Sequence, residues 1–262
     1  MNRVRVAGAD VREAGSGAPV LMLHGIGGAA DAFAAQMSGF PGYRTLAWDA
    51  PGYGDSADLP GEPVLDDYAE TVVSILRGLD AAPAHLLGVS WGGVIATRVA
   101  LEAPDVLRSL VLADSSRGSG RTDRGRKAMA TRVEELRRRG AVAFAEQRGP
   151  RLPAPDADPR AVEQVVGLMS RVRLTGYRNA AGVMAATDHS AQLASISTPT
   201  LVIVGEQDRV TGVDESRALA DGIPAARFEV IRGAGHAANQ EKPEEFNRRV
   251  RQFLSDVDGG AR

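Results

Sequence analysis

The chain has 262 residues, 44% hydrophobic and 24% charged, which is enough for one compact domain with a sizeable core. Its 31 basic and 33 acidic residues nearly cancel, so a general attraction to nucleic acid or to an anionic membrane is excluded. The absence of cysteine excludes disulfides, thiolate metal sites and a cysteine nucleophile.

The first residues, MNRVRVAGAD, lack the apolar core of a signal peptide. No uncharged apolar run has the length of a transmembrane helix. We therefore expect a cytoplasmic protein without a membrane or nucleic-acid partner. No feature of the sequence predicts an oligomeric state.

Short apolar runs alternate with longer segments that have room for a helix. This alternation predicts an α/β fold in which a mostly parallel central sheet is flanked by helices. Interior strands of such a sheet are buried on both faces, which explains why the runs are nearly continuous in apolar residues. The predicted strands are Val20 to Leu23, Thr45 to Trp48, Leu86 to Val89, Leu110 to Ala113, Leu201 to Val204 and Phe228 to Ile231.

Helices are predicted where apolar residues recur three and four positions apart. Leu65 to Leu79 has this spacing, Val94 to Leu101 follows the glycines of GVSWGG, and a last helix begins near Pro243. Helical periodicity also appears at Arg160 to Met169 and at Tyr177 to Thr187.

The segment from Ser115 to about Gln192 contains no strand-like run, and it begins with many arginines. We interpret residues 115–192 as an inserted helical cap, with residues 1–114 and 193–262 forming the core. Glutamates are interspersed among the arginines. We therefore interpret the basic residues as a solvated face, and attraction of a carboxylate-bearing substrate is the less favoured alternative.

A G-x-S-x-G motif, Gly88 to Gly92, stands between a predicted strand and a predicted helix. In that setting the motif is typical of a nucleophile elbow, whose sharp turn raises the serine above the sheet. The alternative is a tight turn in which the serine caps a helix. The strand-turn-helix context favours Ser90 as a nucleophile.

A serine hydroxyl needs a base to accept its proton, and the chain offers four histidines. His24, His85 and His189 are interpreted as structural or incidental. His236 follows the last predicted strand on the glycine-rich loop GAGH. Loops at the carboxyl ends of parallel strands converge, so His236 is predicted to reach Ser90 as the base.

The third member of such a site is a carboxylate that orients the imidazole. Asp208 follows the strand TLVIV in the turn GEQD, and the order Ser, Asp, His is expected of this arrangement. Asp114, after the strand LVLA, is the alternative acid. The oxyanion of a tetrahedral intermediate also needs donors, and the backbone N–H groups of Trp91 and Ile26 are predicted to supply them.

These motifs appear together with the turn DAPGYGDS in the order HGIGG, DAPGYGDS, GVSWGG, GEQD and GAGH. In this the chain resembles the α/β-hydrolase family over essentially its whole length. Within the family it is similar to small bacterial carboxylesterases, enol-lactonases and meta-cleavage-product hydrolases. The resemblance implies an α/β-hydrolase fold, a triad of Ser90, His236 and Asp208, oxyanion donors at Ile26 and Trp91, and a cap after the sixth strand.

The expected reaction is hydrolysis of a carboxylic ester or lactone of a small molecule. The oxyanion loop continues with Gly27, Gly28 and Ala29 and offers no polar side chain for a dienoate acid, although cap residues such as Arg124 or His189 could serve that purpose. Carbon–carbon bond hydrolysis of the meta-cleavage type is the alternative, and acyl transfer to a peroxide or an alcohol uses the same residues. No metal or organic cofactor is expected, because His, Asp and Glu show no ligand spacing.

Two other classes of protein stay open. Gly25 to Ala30 follows a strand, and Asp49 closes the next one about 20 residues later, as in a dinucleotide-binding fingerprint. A nicotinamide-dependent oxidoreductase is therefore an alternative, although it leaves the later motifs unexplained. The other is a non-catalytic ligand-binding protein on the same fold.

Overall fold

A computed structural model describes residues 2–260 and contains one sheet within that range. The strands are β1 (Asn2–Val6), β2 (Ala9–Gly15), β3 (Ala18–Leu23), β4 (Tyr43–Asp49), β5 (Ala84–Val89), β6 (Leu107–Ala113), β7 (Thr200–Gly205) and β8 (Arg227–Ile231). Their order across the sheet is β1-β2-β4-β3-β5-β6-β7-β8. The strands from β3 to β8 are parallel, and β2 is antiparallel to both β1 and β4. The prediction of a mostly parallel sheet flanked by helices is confirmed.

The helices alternate with these strands. They are α1 (Ala34–Gly39), α2 (Leu65–Gly78), α3 (Trp91–Glu102), α4 (Asp123–Arg148), α5 (Pro159–Met169), α6 (Leu174–Ala186), α7 (Val213–Gly222), α8 (Ala238–Glu241) and α9 (Pro243–Gly260). Within residues 2–260, no helix is both long and apolar enough to cross a bilayer.

The six predicted strands are present, each extended by one or more residues, but β1 and β2 were missed. β1 alternates polar and apolar residues and lies half exposed at the edge of the sheet, so it lacks a continuous apolar run. Ala7 and Gly8 join the two strands with φ values of 50° and 77°, as a tight hairpin turn requires.

Both faces of the sheet are buried. Leu21 and Leu86 pack into an apolar cluster with residues of α2 and α3, whereas their neighbours Val20 and Leu87 pack against α1 and α9. Full burial of one such side chain contributes roughly 1.5–3 kcal/mol. This two-sided packing fixes the strands, and with them the loops at their carboxyl ends.

Several helices differ from the sequence prediction. α6 begins at Leu174 and not at Tyr177, and no helix bounds were predicted for α1, α7 or α8. α3 begins at Trp91 and not at Val94, because the two glycines after Trp91 already belong to the helix. The arginine-rich segment, for which no helix was predicted, forms α4, with a break at Gly140 where φ is 77° and ψ is 163°. Few apolar residues mark its buried side, so periodicity did not reveal it.

Residues 115–192 contain α4, α5 and α6 and, in the described structure, no strand. We refer to this segment as the helical insertion. It leaves the sheet after β6 and returns before β7. Its division from the rest of the chain as a separate cap stays a prediction.

Candidate active site

Ser90 stands at the carboxyl end of β5, in the turn that leads into α3. Its backbone has φ 54° and ψ −116°, a strained conformation for a residue with a side chain. A Cβ atom on Gly88 would lie 2.3 Å from Gly92 O, and one on Gly92 would lie 2.1 Å from Leu23 O. The glycines of the motif are therefore required by close backbone approach.

His236 lies on the loop between β8 and α8 and faces Ser90. Its Nε2 atom is 3.1 Å from Ser90 Oγ, and its Nδ1 atom is 2.9 Å from Asp208 Oδ2. Three side chains predicted from separate loops are thus brought together in one hydrogen-bonded row. These distances are those that general-base activation of a hydroxyl requires.

The loop that carries His236 is held by Glu241, which the sequence analysis missed. The Glu241 carboxylate accepts hydrogen bonds from the N–H groups of Gly235 at 2.9 Å and Ala237 at 3.1 Å, the residues on either side of the histidine. One acidic side chain therefore fixes the backbone around the imidazole. No sequence signal distinguishes Glu241 from an ordinary surface glutamate near a helix end.

The same loop is joined to the helical insertion. The backbone N–H of His236 donates to Leu152 O at 2.8 Å, and the N–H of Ala154 donates to Glu241 at 2.7 Å. A Cβ atom on Gly235 would lie 2.4 Å from Ala154 N. The imidazole is therefore positioned by the insertion as well as by the sheet.

Asp208 is buried in the turn after β7. Its Oδ1 atom accepts hydrogen bonds from the N–H groups of Val210 at 2.7 Å and Thr211 at 3.1 Å, and the Thr211 hydroxyl donates to Oδ2. Burial opposes ionisation, but the charge and hydrogen bond of His236, together with these donors, hold the pKa of Asp208 at about 2. Asp208 is therefore a carboxylate at neutral pH.

The same pair sets the charge of the imidazole. Burial lowers the pKa of His236, but the charge and hydrogen bond of Asp208 outweigh burial and raise this pKa above its ordinary value. The imidazolium that forms when His236 accepts a proton is therefore stabilised.

Asp114, the alternative acid, bonds to backbone and not to the imidazole. Its two carboxyl oxygens accept hydrogen bonds from the N–H groups of Gly205 at 2.8 Å and Ala238 at 3.2 Å. Burial and the nearby charge of Asp208 raise the pKa of Asp114 to about 7. The geometry favours Asp208 as the partner of the histidine.

The other three histidines have partners inside the protein. His24 Nε2 accepts from a backbone N–H at 3.0 Å, His85 Nδ1 lies 2.8 Å from a serine hydroxyl, and His189 Nε2 lies 3.1 Å from a backbone carbonyl. All three side chains are buried. Within residues 2–260, no group of three or more His, Asp or Glu side chains is placed to hold a metal ion.

The predicted oxyanion donors lie on either side of the serine. Trp91 is the first residue of α3, and Ile26 lines the same cleft as Ser90. A Cβ atom on Gly25 would lie 3.3 Å from Ser90 Cβ, so this loop passes directly beside the serine. In the described structure neither N–H group donates to a backbone carbonyl. Their role stays a prediction.

Ser90 and His236 line a cleft between the sheet and the helical insertion. One region, the apolar part, encloses a cavity of about 80 Å³. A second region, the wide part, opens to solvent and shares Ser90 with the first. Apolar side chains that line the apolar part include Ile26, Phe33, Val89, Val165, Leu168 and Met169.

The dinucleotide-binding alternative is not supported. Asp49 is buried, and its Oδ1 atom accepts a hydrogen bond from the N–H of Ala30 at 2.8 Å. A Cβ atom on Gly54 would lie 2.4 Å from Asp49 Oδ2. The carboxylate is therefore held within the protein, whereas a fingerprint would need it for a ribose hydroxyl.

The interpretation of the basic segment as a solvated face is wrong in one respect. Arg126 and Arg137 are exposed and pair with carboxylates three residues away. Arg132, however, is half-buried and lines both parts of the cleft, as does Arg148, which the sequence analysis did not single out.

Several known proteins are similar to this chain in sequence or in fold. A model of the alpha/beta hydrolase fold matches residues 18–243. The chain is 28% identical over 215 residues to 3-oxoadipate enol-lactonase 2 of Acinetobacter baylyi, covering 81% of this chain and 79% of that protein. It is 30% identical to 3-oxoadipate enol-lactonase 1 of the same organism, covering 82% and 80%. A thermophilic esterase from Thermogutta terrifontis, solved with malate bound, superposes with a TM-score of 0.90 at 28% identity, covering 98% and 99%.

Proposed function

The chain belongs to the alpha/beta hydrolase family and is a hydrolase enzyme, and we propose that it cleaves a carboxylic ester or lactone of a small molecule through an acyl-enzyme on Ser90. One observation carries this proposal. Ser90 Oγ, His236 and Asp208 form a row with contacts of 3.1 and 2.9 Å on the wall of a cleft.

In the first half-reaction, Ser90 Oγ attacks the carbonyl carbon while His236 Nε2 accepts its proton. Asp208 keeps the remaining imidazole N–H at Nδ1, so that Nε2 carries the lone pair that faces the serine. The carbonyl oxygen becomes an oxyanion that accepts hydrogen bonds from the N–H groups of Ile26 and Trp91. Collapse of the tetrahedral intermediate breaks the bond to the leaving oxygen, which takes the proton from His236.

In the second half-reaction, water takes the place of the leaving group. His236 removes a proton from the water as its oxygen attacks the acyl carbon, and the same oxyanion donors act again. Collapse of the second intermediate releases the acid and returns the proton to Ser90 Oγ. The pKa of His236, raised by Asp208, favours the proton-accepting steps.

The wall of the cleft opposite the sheet comes from the helical insertion. We propose that residues 115–192 act as a cap over residues 1–114 and 193–262 and that substrate selection belongs to this cap. The acyl or leaving group is expected to lie in the apolar part of the cleft, where Leu168 and Met169 replace its contact with water.

An ester or lactone fits the site better than a carbon–carbon substrate. Two relatives, at 28% and 30% identity, are named enol-lactonases, and one similar solved structure is an esterase. The oxyanion loop itself presents Ile26 and two glycines, so the acid group of a dienoate would have to be held elsewhere in the cleft.

The proposal is tested by assaying esters, lactones and vinylogous diketones with the wild type and with Ser90→Ala and His236→Ala. We expect 4-nitrophenyl acetate or butyrate and at least one lactone to be hydrolysed, with nearly all turnover lost in both variants. A fluorophosphonate should add covalently to the wild type and not to Ser90→Ala.

Ser119→Ala is the matched control, because Ser119 lines the wide part of the cleft but has no imidazole partner. It should still be labelled. Labelling and turnover that persist in Ser90→Ala would contradict the proposed nucleophile. Turnover of diketones alone would reassign the reaction to carbon–carbon hydrolysis, and ligand binding without any turnover would contradict the proposed hydrolysis.

A further inference from the structure

The cleft carries a strong local excess of positive charge. The chain as a whole has 31 basic and 33 acidic residues, yet in the described structure the wide part of the cleft is lined by six arginines and one acidic residue, Glu215. Glu215 is already bound to Arg117 and Arg121. Such a cleft attracts anions and concentrates them near its walls. The lining arginines are Arg121, Arg124, Arg132, Arg148, Arg151 and Arg209.

Two of these arginines also line the apolar part, beside Ser90 and His236. Arg132 and Arg148 are half-buried, and within residues 2–260 neither has a carboxylate oxygen within 4.0 Å. The polar contact of Arg132 is the Met129 sulfur at 3.8 Å. This differs from Arg126 and Arg137, two exposed arginines of α4 that bind nearby carboxylates.

The two positively charged guanidinium groups repel each other. Burial, and then the charge of Arg148, lowers the pKa of Arg132 to about 10; the charge of Glu135, which forms no ion pair with Arg132, only partly opposes this decrease. The phenol of Tyr177 lies near both charges, but burial raises its pKa, so it stays neutral and does not compensate them. A protein gains little stability from two partly desolvated like charges, whereas a ligand anion between them would be bound strongly.

We propose that Arg132 and Arg148 bind a carboxylate of the substrate, so that the enzyme prefers esters or lactones that carry a free carboxylate. A carboxylate matches the planar donors of a guanidinium. The apolar part of the cleft would hold the hydrocarbon chain that separates this carboxylate from the carbonyl at Ser90. This inference rests on the proposed function, because the same molecule has to reach both sites.

The test uses matched 4-nitrophenyl monoesters of glutaric, adipic and pimelic acid, each as the free acid and as the neutral primary amide. The variants are Arg132→Met and Arg148→Met. Arg139→Met is the control, because this substitution removes the same charge at an exposed position on the same helix. The measured quantity is the ratio of kcat/KM for the acid to kcat/KM for the amide.

We expect the wild type to prefer at least one acid over its amide by about tenfold or more. In each cleft variant this acid-to-amide ratio should fall about tenfold, which corresponds to one charge-assisted hydrogen bond. In the cleft variants the neutral amides should lose much less rate than the acids, and Arg139→Met should keep the preference. Adipate should bind to Ser90→Ala in calorimetry and bind more weakly when Arg132→Met is added.

The thermal midpoint of Arg132→Met is expected to equal or exceed that of the wild type, because a partly desolvated charge is removed. Loss of acid preference is then not a folding defect. An acid-to-amide ratio that is unchanged in both cleft variants, or equally reduced in Arg139→Met, would overturn the inference. In either case, Ser90-dependent hydrolysis of the amides would still support the proposed function. If neither the acids nor the amides are hydrolysed in a Ser90-dependent way, the proposed function itself is contradicted.

Discussion

Replacement of Asp208 by asparagine tests how the carboxylate acts on the imidazole. Asparagine has the same shape, and its carbonyl oxygen can still accept from the N–H groups of Val210 and Thr211. Its amide nitrogen then takes the place of Oδ2, which lies 2.9 Å from His236 Nδ1. An amide N–H facing Nδ1 favours the tautomer whose proton is on Nε2.

That tautomer presents a donor to Ser90 where an acceptor is needed over the 3.1 Å contact. The serine then has no base, and we expect kcat to fall on the order of 10⁴-fold, as for triads on other folds. This corresponds to about 5.4 kcal/mol of transition-state stabilisation. The thermal midpoint should change little by comparison, because the bonds to the backbone are kept.

The residual activity should also change its dependence on pH. In the wild type, Asp208 raises the pKa of His236, so kcat/KM is expected to fall with decreasing pH at a pH above the ordinary histidine pKa. Without the carboxylate, burial dominates and lowers that pKa. The acid limb of Asp208→Asn should therefore lie at lower pH than that of the wild type.

The assay is kcat/KM for 4-nitrophenyl butyrate from pH 5 to 9, with fluorophosphonate labelling rates as a second measurement. Asp114→Asn is the matched control, because it makes the same chemical change at the alternative acid, which is also buried. Near-normal activity of Asp208→Asn together with a large loss in Asp114→Asn would move the acid to Asp114. An acid limb that does not shift would refute the explanation of the pKa of His236.

Three other predictions concern the support of the site. Glu241→Gln replaces one of the two oxygens that accept hydrogen bonds from three backbone N–H groups, so kcat should fall about tenfold at nearly constant KM, and the free energy of unfolding should fall by roughly 1–3 kcal/mol. The same substitution at the exposed Glu244 should change neither quantity. An effect on KM alone would argue against a positioning role. Gly92→Ala should prevent correct folding, because its Cβ atom would lie 2.1 Å from Leu23 O. Gly167→Ala, on α5, places its Cβ atom in open space and should stabilise the protein by up to about 1 kcal/mol. Equal melting curves for the two variants would contradict the requirement for glycine at position 92. In the wild type, the Asp114 pKa of about 7 means that the stability it contributes below pH 4 is lost between about pH 4 and 7. Asp114→Asn should therefore gain stability relative to the wild type over that range and keep a constant advantage above it, as measured by denaturant unfolding. A difference that does not change between pH 4 and 7 would count against the raised pKa.

The sheet and the reacting side chains could be predicted because their residues carry strong local signals. Buried parallel strands require continuous apolar runs, and the turn at Ser90 requires glycines at Gly88 and Gly92. The convergence of Ser90, Asp208 and His236 follows from the parallel strand order, which brings the carboxyl ends of β5, β7 and β8 to one edge. The edge strand β1 gave no such signal, because half of its residues face solvent.

The cleft was less predictable because its chemistry depends on tertiary contacts. Arg132 and Arg126 are the same residue type on one helix, and only the packing of α4 turns one toward the cleft and the other toward Asp123. Glu241 binds main-chain N–H groups, which leave no trace in side-chain patterns. Asp114 and Asp208 both follow buried strands, so the sequence does not distinguish them. Only the hydrogen bond from His236 Nδ1 to Asp208 identifies the acid that faces the imidazole.

The backbone hydrogen bonds that join Leu152 and Ala154 to His236 and Glu241 limit which segments can replace the helical insertion. Exchanging the segment between β6 and β7 for that of another family member is an obvious route to a new specificity, but the exchange would also remove these two backbone partners. A graft therefore has to present a carbonyl and an N–H at the same two points. A chimera that ignores this requirement would be inactive although its serine, histidine and aspartate are all intact.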